Sequence, residues 1–340
     1  MAEDHRPGAV YWIDHYVVPT NDLPRHLDFM SNVLGAQPAH RLGLTTQAVQ
    51  RYTPLGAFSK VGHYHSCGSF LQDHMLPEPS EVGKGTPRYG YYVRRADIDE
   101  HLRRLDDNGC PHTDPQEISD GGDEGTVVYF MDPDGNQYEF WAPRHMPPAA
   151  MEADNPVRIG RISHFVFESR DLDRTVDFYG KYCGIEQIRN ADIPKDRVAF
   201  RLEGGGRMVF HRVSELNPRT GGHNLWKGQH AALAVRNDEF RGAYERLWSD
   251  LSESTYQRYT GVAAPDESNL PARTETHGVV ARGERTTNAP RGTSFYDWDT
   301  NCFHFMGGAP RDRAFNQYEP HTMDWHLPTF LAKQGTALTK

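Results

Sequence analysis

The chain has 340 residues, which is too long for one ordinary hydrophobic core and suits two domains. Its formal net charge of -9 argues against a general binder of nucleic acids or anionic membranes, because phosphate groups would be repelled. No apolar run approaches the roughly 20 residues that a membrane-spanning helix needs. The amino terminus also lacks the basic and apolar segments of a secretory signal. We therefore expect a cytoplasmic protein.

Cysteine and histidine usage narrows the kinds of site to expect. The four cysteines lie far apart and form no CxxC pair, which argues against a disulfide framework and a zinc ribbon. The 18 histidines are an unusually large number for this length. Their positions in the predicted elements are therefore the main clue to a site.

An internal repeat organises the chain. Residues 13–35 match residues 162–184 without a gap, at a constant offset that equates His15 with His164 and Gly35 with Gly184. Each copy predicts a strand with a central His and then a helix that ends at the Gly. Ungapped agreement of this kind indicates that the chain is a duplication.

A second strand–helix unit follows in each half, at residues 91–105 and 230–247, and a hairpin closes each half at residues 127–140 and 294–305. The hairpins equate Asp132 with Asp297, Asn136 with Asn301, and Glu139 with His304. The chain therefore consists of four strand–helix–strands modules. We predict an amino-terminal domain at 1–145, a linker at 146–160, a carboxy-terminal domain at 161–310 and a tail at 311–340, with a long polar loop at 252–290.

Two motifs carry a family resemblance: the His-centred strand ISHF at 162–165 and the hairpin DPDGNQYEFW at 132–141. With them the chain resembles the vicinal oxygen chelate superfamily, and its two-domain length is similar to that of the type I extradiol dioxygenases. The resemblance implies an α+β fold in which four βαβββ modules pair into two vicinal oxygen chelate domains. Each domain would be a curved sheet that cups a divalent metal.

The resemblance also implies which residues form the site. In the carboxy-terminal domain it assigns the metal ligands to His164, His230 and His304, with His304 where the family usually has Glu. It favours an acid/base role for His211, with a fourth metal ligand or a packed core histidine as the alternatives. Fe(II) is the expected metal, with Mn(II) or another divalent metal as the alternative, because imidazole suits first-row metals.

The amino-terminal domain keeps only His15 and Glu139 at the four family positions, with Arg88 or Tyr89 at a third. Two ligands seldom hold a metal, so this first cup is expected to be metal-free.

The leading functional hypothesis is a dioxygenase that uses O2 to cleave the ring of a catechol-like dihydroxylated aromatic. A ligand set of three neutral imidazoles leaves the metal its full charge, which keeps open a redox-neutral lyase, isomerase or hydrolase. A third reading is a non-enzymatic pocket for a small molecule. We expect no nucleic-acid or membrane partner, and an exposed module edge leaves room for a homo-oligomer.

Overall fold

The computed structural model describes residues 10–19, 23–35, 63–64, 67–72, 80–120, 123–147, 150–151, 157, 159–191, 193–202, 206–217, 230–235, 292–297, 299 and 301–307. The predicted tail at 311–340 and the predicted loop at 252–290 lie outside these residues. Within the described part of the chain, no helix is both long and apolar enough to cross a bilayer.

The described residues form strands and short helices in the order that the repeat predicts. The strands are β1 (Val10–Pro19), β2 (His63–Tyr64), β3 (Cys67–Gln72), β4 (Arg88–Tyr92), β5 (Gln116–Asp120), β6 (Asp123–Met131), β7 (Gln137–Pro143), β8 (Ile162–Ser169), β9 (Glu186–Gln187), β10 (Arg197–Arg201), β11 (Arg207–Arg212), β12 (His230–Val235), β13 (Gly292–Tyr296) and β14 (Cys302–Gly307). The α-helices are α1 (Leu23–Asp28), α2 (Ile98–Asp107) and α3 (Leu172–Asp177).

The two copies of the repeat fold alike. α1 and α3 each continue into a π-helical turn, Phe29–Val33 and Phe178–Tyr182. The chain then leaves each turn through a glycine with positive φ, 69° at Gly35 and 67° at Gly184, which is the conformation that glycine adopts without strain. The helix ends that the repeat predicts are thus confirmed.

The closing hairpins also fold alike, around an aspartate at the start of each turn. Asp132 Oδ1 accepts hydrogen bonds from the backbone N–H groups of Asp134 and Asn136, both at 2.9 Å. Asp297 Oδ1 accepts the corresponding bonds from Asp299 at 3.0 Å and Asn301 at 2.9 Å. A short side chain that satisfies the turn's own backbone explains why Asp recurs there.

The strands assemble into two mixed sheets. The eight-stranded sheet has the order β5-β6-β7-β4-β8-β11-β10-β9, and the six-stranded sheet has the order β13-β14-β12-β1-β3-β2. The α+β class and the vicinal oxygen chelate fold follow from this arrangement. In each sheet two modules meet through antiparallel pairing of their first strands, β4 with β8 and β1 with β12.

This strand pairing differs from the expected grouping of modules into a domain before and a domain after residue 146. The second module pairs with the third across the predicted linker, and the first module pairs with the fourth. The repeat shows that the modules are equivalent. Because their first strands are equivalent too, these strands can pair in more than one combination. The pairing is a non-local choice that the repeat does not encode.

The two sheets share one hydrophobic core. Tyr16 on β1 stacks on Tyr89 of β4 with ring centroids 4.1 Å apart, and Phe167 on β8 packs against Phe303 of β14 at 4.8 Å. Aromatic contacts of this kind bury large areas and add specific contacts. The two sheets therefore pack against each other around a common core.

A cut in the predicted linker tests this pairing. We expect that cleaving the full chain at a protease site inserted between Met151 and Val157 leaves the two fragments bound to each other, because both sheets contain strands from each side of the cut. Size-exclusion chromatography of the cleaved protein under native conditions checks this. Elution of two separate folded fragments would contradict the pairing.

Candidate functional site

A row of three residues crosses the middle of the eight-stranded sheet. Glu139 on β7 pairs with Gly90 on β4, and Gly90 pairs with His164 on β8. A Cβ atom at Gly90 would overlap the imidazole of His164. The missing side chain leaves the space in which Glu139 and His164 meet, with His164 Nε2 2.9 Å from Glu139 Oε2.

Glu139 is also the centre of a buried hydrogen-bond network. Arg88 Nε donates to Glu139 Oε1 at 2.6 Å, and the Ser163 hydroxyl lies 2.8 Å from His164 Nδ1. The carboxylate can only accept, so His164 Nε2 donates the hydrogen bond to Glu139. Burial raises the pKa of Glu139, but the charges of Arg88 and His164 outweigh it and hold that pKa well below its usual range.

A cavity of about 460 Å³ opens over this face of the sheet. Its wall mixes apolar side chains with charged ones. The described lining residues are Val82, Gly83, Lys84, Thr86, Arg88, Thr113, Gln116, Ile118, Tyr129, Glu139, His164, Val166, Glu168, Arg197, Val209, His211 and Val213.

His211 faces this cavity from β11, opposite Glu168 of β8 and Arg197 of β10 in the strand register. Burial and the nearby charges of Arg88 and Arg197 lower the pKa of His211 to about 4. The imidazole is therefore neutral at pH 7, with one N–H donor and one acceptor nitrogen. Glu168 is held by the backbone N–H and side-chain amide of Asn217, at 2.8 and 2.5 Å.

The donor set of this cavity does not fit a divalent metal. Its ligand-type side chains are Glu139, His164, Glu168 and His211, and among the described residues no three of these bring their ligand atoms together. Glu139 and His164 already bind each other, Glu139 also binds Arg88, and Glu168 binds Asn217. The fixed positive charge of Arg88 beside Glu139 would also repel a cation.

One group of three ligand-type side chains occurs elsewhere in the described residues. His26, Asp132 and Asp134 offer atoms within 4.8 Å of one another, and all three side chains are buried. Asp132 is already engaged by the backbone of its own turn, and Asp134 forms an ion pair with Arg25. These contacts account for the carboxylates as supports of the β6–β7 hairpin.

The six-stranded sheet repeats the row of the eight-stranded sheet with different residues. His304 on β14 pairs with Ala232 on β12, and Ala232 pairs with His15 on β1. His230 precedes Ala232 by two positions, as Arg88 precedes Gly90.

The equivalence is complete at the level of the backbone. His304, His230 and His15 thus occupy the positions of Glu139, Arg88 and His164. Their backbone is described, and their side chains lie outside the described residues.

The predicted ligand set is therefore divided between the two sheets. His164 and His211 lie on the eight-stranded sheet, whereas His230 and His304 lie on the six-stranded sheet together with His15. The predicted set includes His164 because the third and fourth modules were expected to pair in one domain. The signal that could have identified His15 was present, because the repeat makes His15 and His164 equivalent.

Gly90 provides a test of the Glu139–His164 contact. We expect Gly90→Ala to lower the free energy of unfolding by about 1–3 kcal/mol, because the added methyl group overlaps a ring that neighbours hold in place. Urea unfolding at pH 7 measures the change. Gly180→Ala is the matched control, since a Cβ there meets nothing within 4 Å. Equal stability of the two variants would contradict the close approach at Gly90.

Known proteins resemble this chain in sequence over one segment and in fold over most of its length. Residues 12–140 match the family model described as Glyoxalase/Bleomycin resistance protein/Dioxygenase superfamily. No curated protein matches the chain by sequence.

Two solved structures share the fold over almost the whole length. A "putative dioxygenase" from Bacillus subtilis subsp. subtilis str. 168 is 14% identical with a TM-score of 0.53, over 98% of both chains. Glyoxalase I from Zea mays is 14% identical with a TM-score of 0.50, over 93% of this chain and 96% of its own. Residues 12–140 thus match the superfamily of the glyoxalases, bleomycin resistance proteins and related dioxygenases, and the chain as a whole has the fold of these two solved structures.

Proposed function

We propose that the protein is a divalent-metal-dependent dioxygenase that cleaves the ring of a catechol-like dihydroxylated aromatic, with the metal held by His15, His230 and His304. The observation that carries the proposal is the register of the six-stranded sheet. It places His304 and His15 in one row, on either side of Ala232. His230 lies two residues before Ala232 on the strand between them. Members of the superfamily bind divalent metals, and Fe(II) or Mn(II) suits such a ligand set.

The equivalent row of the eight-stranded sheet supports this assignment. There, side chains from the two outer positions approach to 2.9 Å across a central glycine. In the six-stranded sheet the central residue is Ala232, which is the smallest residue after glycine. A row with a small centre and a long polar side chain on each flank is the arrangement that lets two donors converge.

The charge at the neighbouring position distinguishes the two sheets. Arg88 places a permanent positive charge in one, and His230 offers a neutral donor at the same position in the other. A metal bound there would supply Lewis acidity and coordination sites for two adjacent substrate oxygens and O2. The protein would contribute the ligands and their spacing. His211 lies on the other sheet and has no role in this proposal.

A redox-neutral lyase, isomerase or hydrolase is the second candidate. The observation that favours it is the absence of a carboxylate from the proposed ligand set, since His304 stands where the other sheet has Glu139. Three neutral imidazoles leave the metal its full positive charge, which strengthens its action as a Lewis acid.

Metal content tests the ligand assignment. We expect the purified protein to bind about one equivalent of Co(II), Fe(II) or Mn(II), and His15→Ala, His230→Ala and His304→Ala each to weaken that binding at least tenfold, as loss of one of three ligands implies. Elemental analysis and Co(II) absorption spectra measure it.

His164→Gln is the matched control for these variants, because His164 occupies the same position in the other sheet. It should retain its metal. Loss of metal from His164→Gln, with metal retained by His15→Ala, would support His164 as the third ligand, as predicted from the sequence. It would refute the assignment to His15.

Oxygen uptake tests the reaction. We expect the Fe(II)- or Mn(II)-loaded protein to consume O2 with a catechol-like compound and to form a ring-opened product with an absorption band in the visible or near-ultraviolet range. An oxygen electrode and absorption spectroscopy monitor the two signals. Substrate turnover that continues under strict anaerobiosis would contradict the dioxygenase and support the redox-neutral alternative.

A further inference from the structure

The cavity of the eight-stranded sheet retains a volume of about 460 Å³ although its donor set does not fit a metal. The volume lies within the roughly 300–1,000 Å³ of small-molecule sites.

We propose that this cavity is a second binding site, which takes a small organic acid with an apolar, ring-sized body and works without a metal. The site is separate from the proposed metal centre and does not depend on it. Its acid group would bind at the Arg88–Arg197 side of the cavity, and its body would lie on the aliphatic side chains.

The charges of the wall favour an anion. Lys84, Arg88 and Arg197 are the cationic lining residues, and Glu139 and Glu168 are the anionic ones. Both carboxylates are engaged by protein donors, Glu139 by Arg88 and His164, and Glu168 by Asn217. Lys84 is itself paired with Glu81, and Arg197 Nε lies 3.8 Å from Asp196 Oδ1. Among the lining side chains, three cations still face two carboxylates, and both carboxylates are bound by protein donors.

Contacts within the protein fix the position of the Arg88 guanidinium. Its Nε donates to Glu139, its Nη1 donates to the Gly85 carbonyl at 3.3 Å, and its guanidinium carbon lies 5.4 Å from the centre of the Tyr129 ring. Neither hydrogen bond uses Nη2. A guanidinium fixed in this way can donate from Nη2 to a carboxylate with little loss of side-chain entropy.

His211 completes the polar side of the cavity. It lies opposite Arg197 in the register of β10 and β11 and is neutral at pH 7. A neutral imidazole has one N–H donor and one acceptor nitrogen. It can therefore donate to the second oxygen of a carboxylate that Arg197 binds.

The rest of the wall is apolar. Val166 of β8 and Val209 of β11 are paired in the strand register between the polar rows, and Ile118 and Val213 also line the space. These side chains cannot satisfy a polar ligand. They favour a flat hydrocarbon body, such as a benzene ring, that is removed from water on binding.

Benzoate is the probe for this site. Isothermal titration calorimetry of the full-length protein, treated with a chelator so that no metal contributes, should detect saturable binding at pH 7.5. We expect Arg197→Gln to weaken binding at least tenfold and Val209→Phe, which fills the cavity, to abolish it. Arg201→Gln is the matched control, because Arg201 is exposed on the same strand, and it should stay within twofold of the parent protein.

Benzyl alcohol separates the acid group from the ring, and it should bind at least tenfold more weakly than benzoate. Circular dichroism melting curves confirm that each variant is folded. The proposal is overturned by absence of benzoate binding to the parent protein, by equal affinities in the Arg197→Gln and Arg201→Gln variants, or by equal affinities for benzoate and benzyl alcohol. Because metal is excluded, these outcomes are independent of the proposed dioxygenase.

Discussion

Antiparallel pairing between the first strands of different modules is the contact on which both cups depend. β4 pairs with β8 and β1 pairs with β12, so each sheet is completed by a module from the other half of the chain. Backbone hydrogen bonds set the register, and the register determines which side chains share a row. Glu139 and His164 meet because Gly90 lies between them in two such pairings.

The two rows are equivalent in backbone and different in charge. In the eight-stranded sheet the polar atoms of Arg88, Glu139 and His164 satisfy one another, which is the condition for burying charged groups at modest cost. In the six-stranded sheet the same positions hold His230, His304 and His15. One row thus neutralises its own charges, and the other row contains the residue types that bind metals. Only two of the three positions differ, Arg88 against His230 and Glu139 against His304, and these two changes are sufficient to produce the difference.

Local features of the fold were predictable from the sequence because they depend on neighbouring residues. The repeat predicted a strand and helix that end at Gly35 and again at Gly184, and both glycines have positive φ. The Asp132 turn and its copy at Asp297 have the predicted equivalence, since each aspartate binds its own turn. The grouping of the histidines into sheets was not predictable in this way, because it requires knowledge of which modules pair, and no local signal distinguishes one first strand from another.

The sequence by itself determined the four modules, the superfamily fold and the histidine positions within each module. Periodicity, turn residues and the repeat are all features of the sequence that can be recognised without knowledge of the tertiary structure. Only the tertiary structure decided that His164 shares a sheet with Glu139 and Arg88, and that His15 lies in register with His230 and His304. The reason is physical: strand pairing joins residues that are more than 200 positions apart along the chain in the six-stranded sheet, and it is selected by the packing of the whole core.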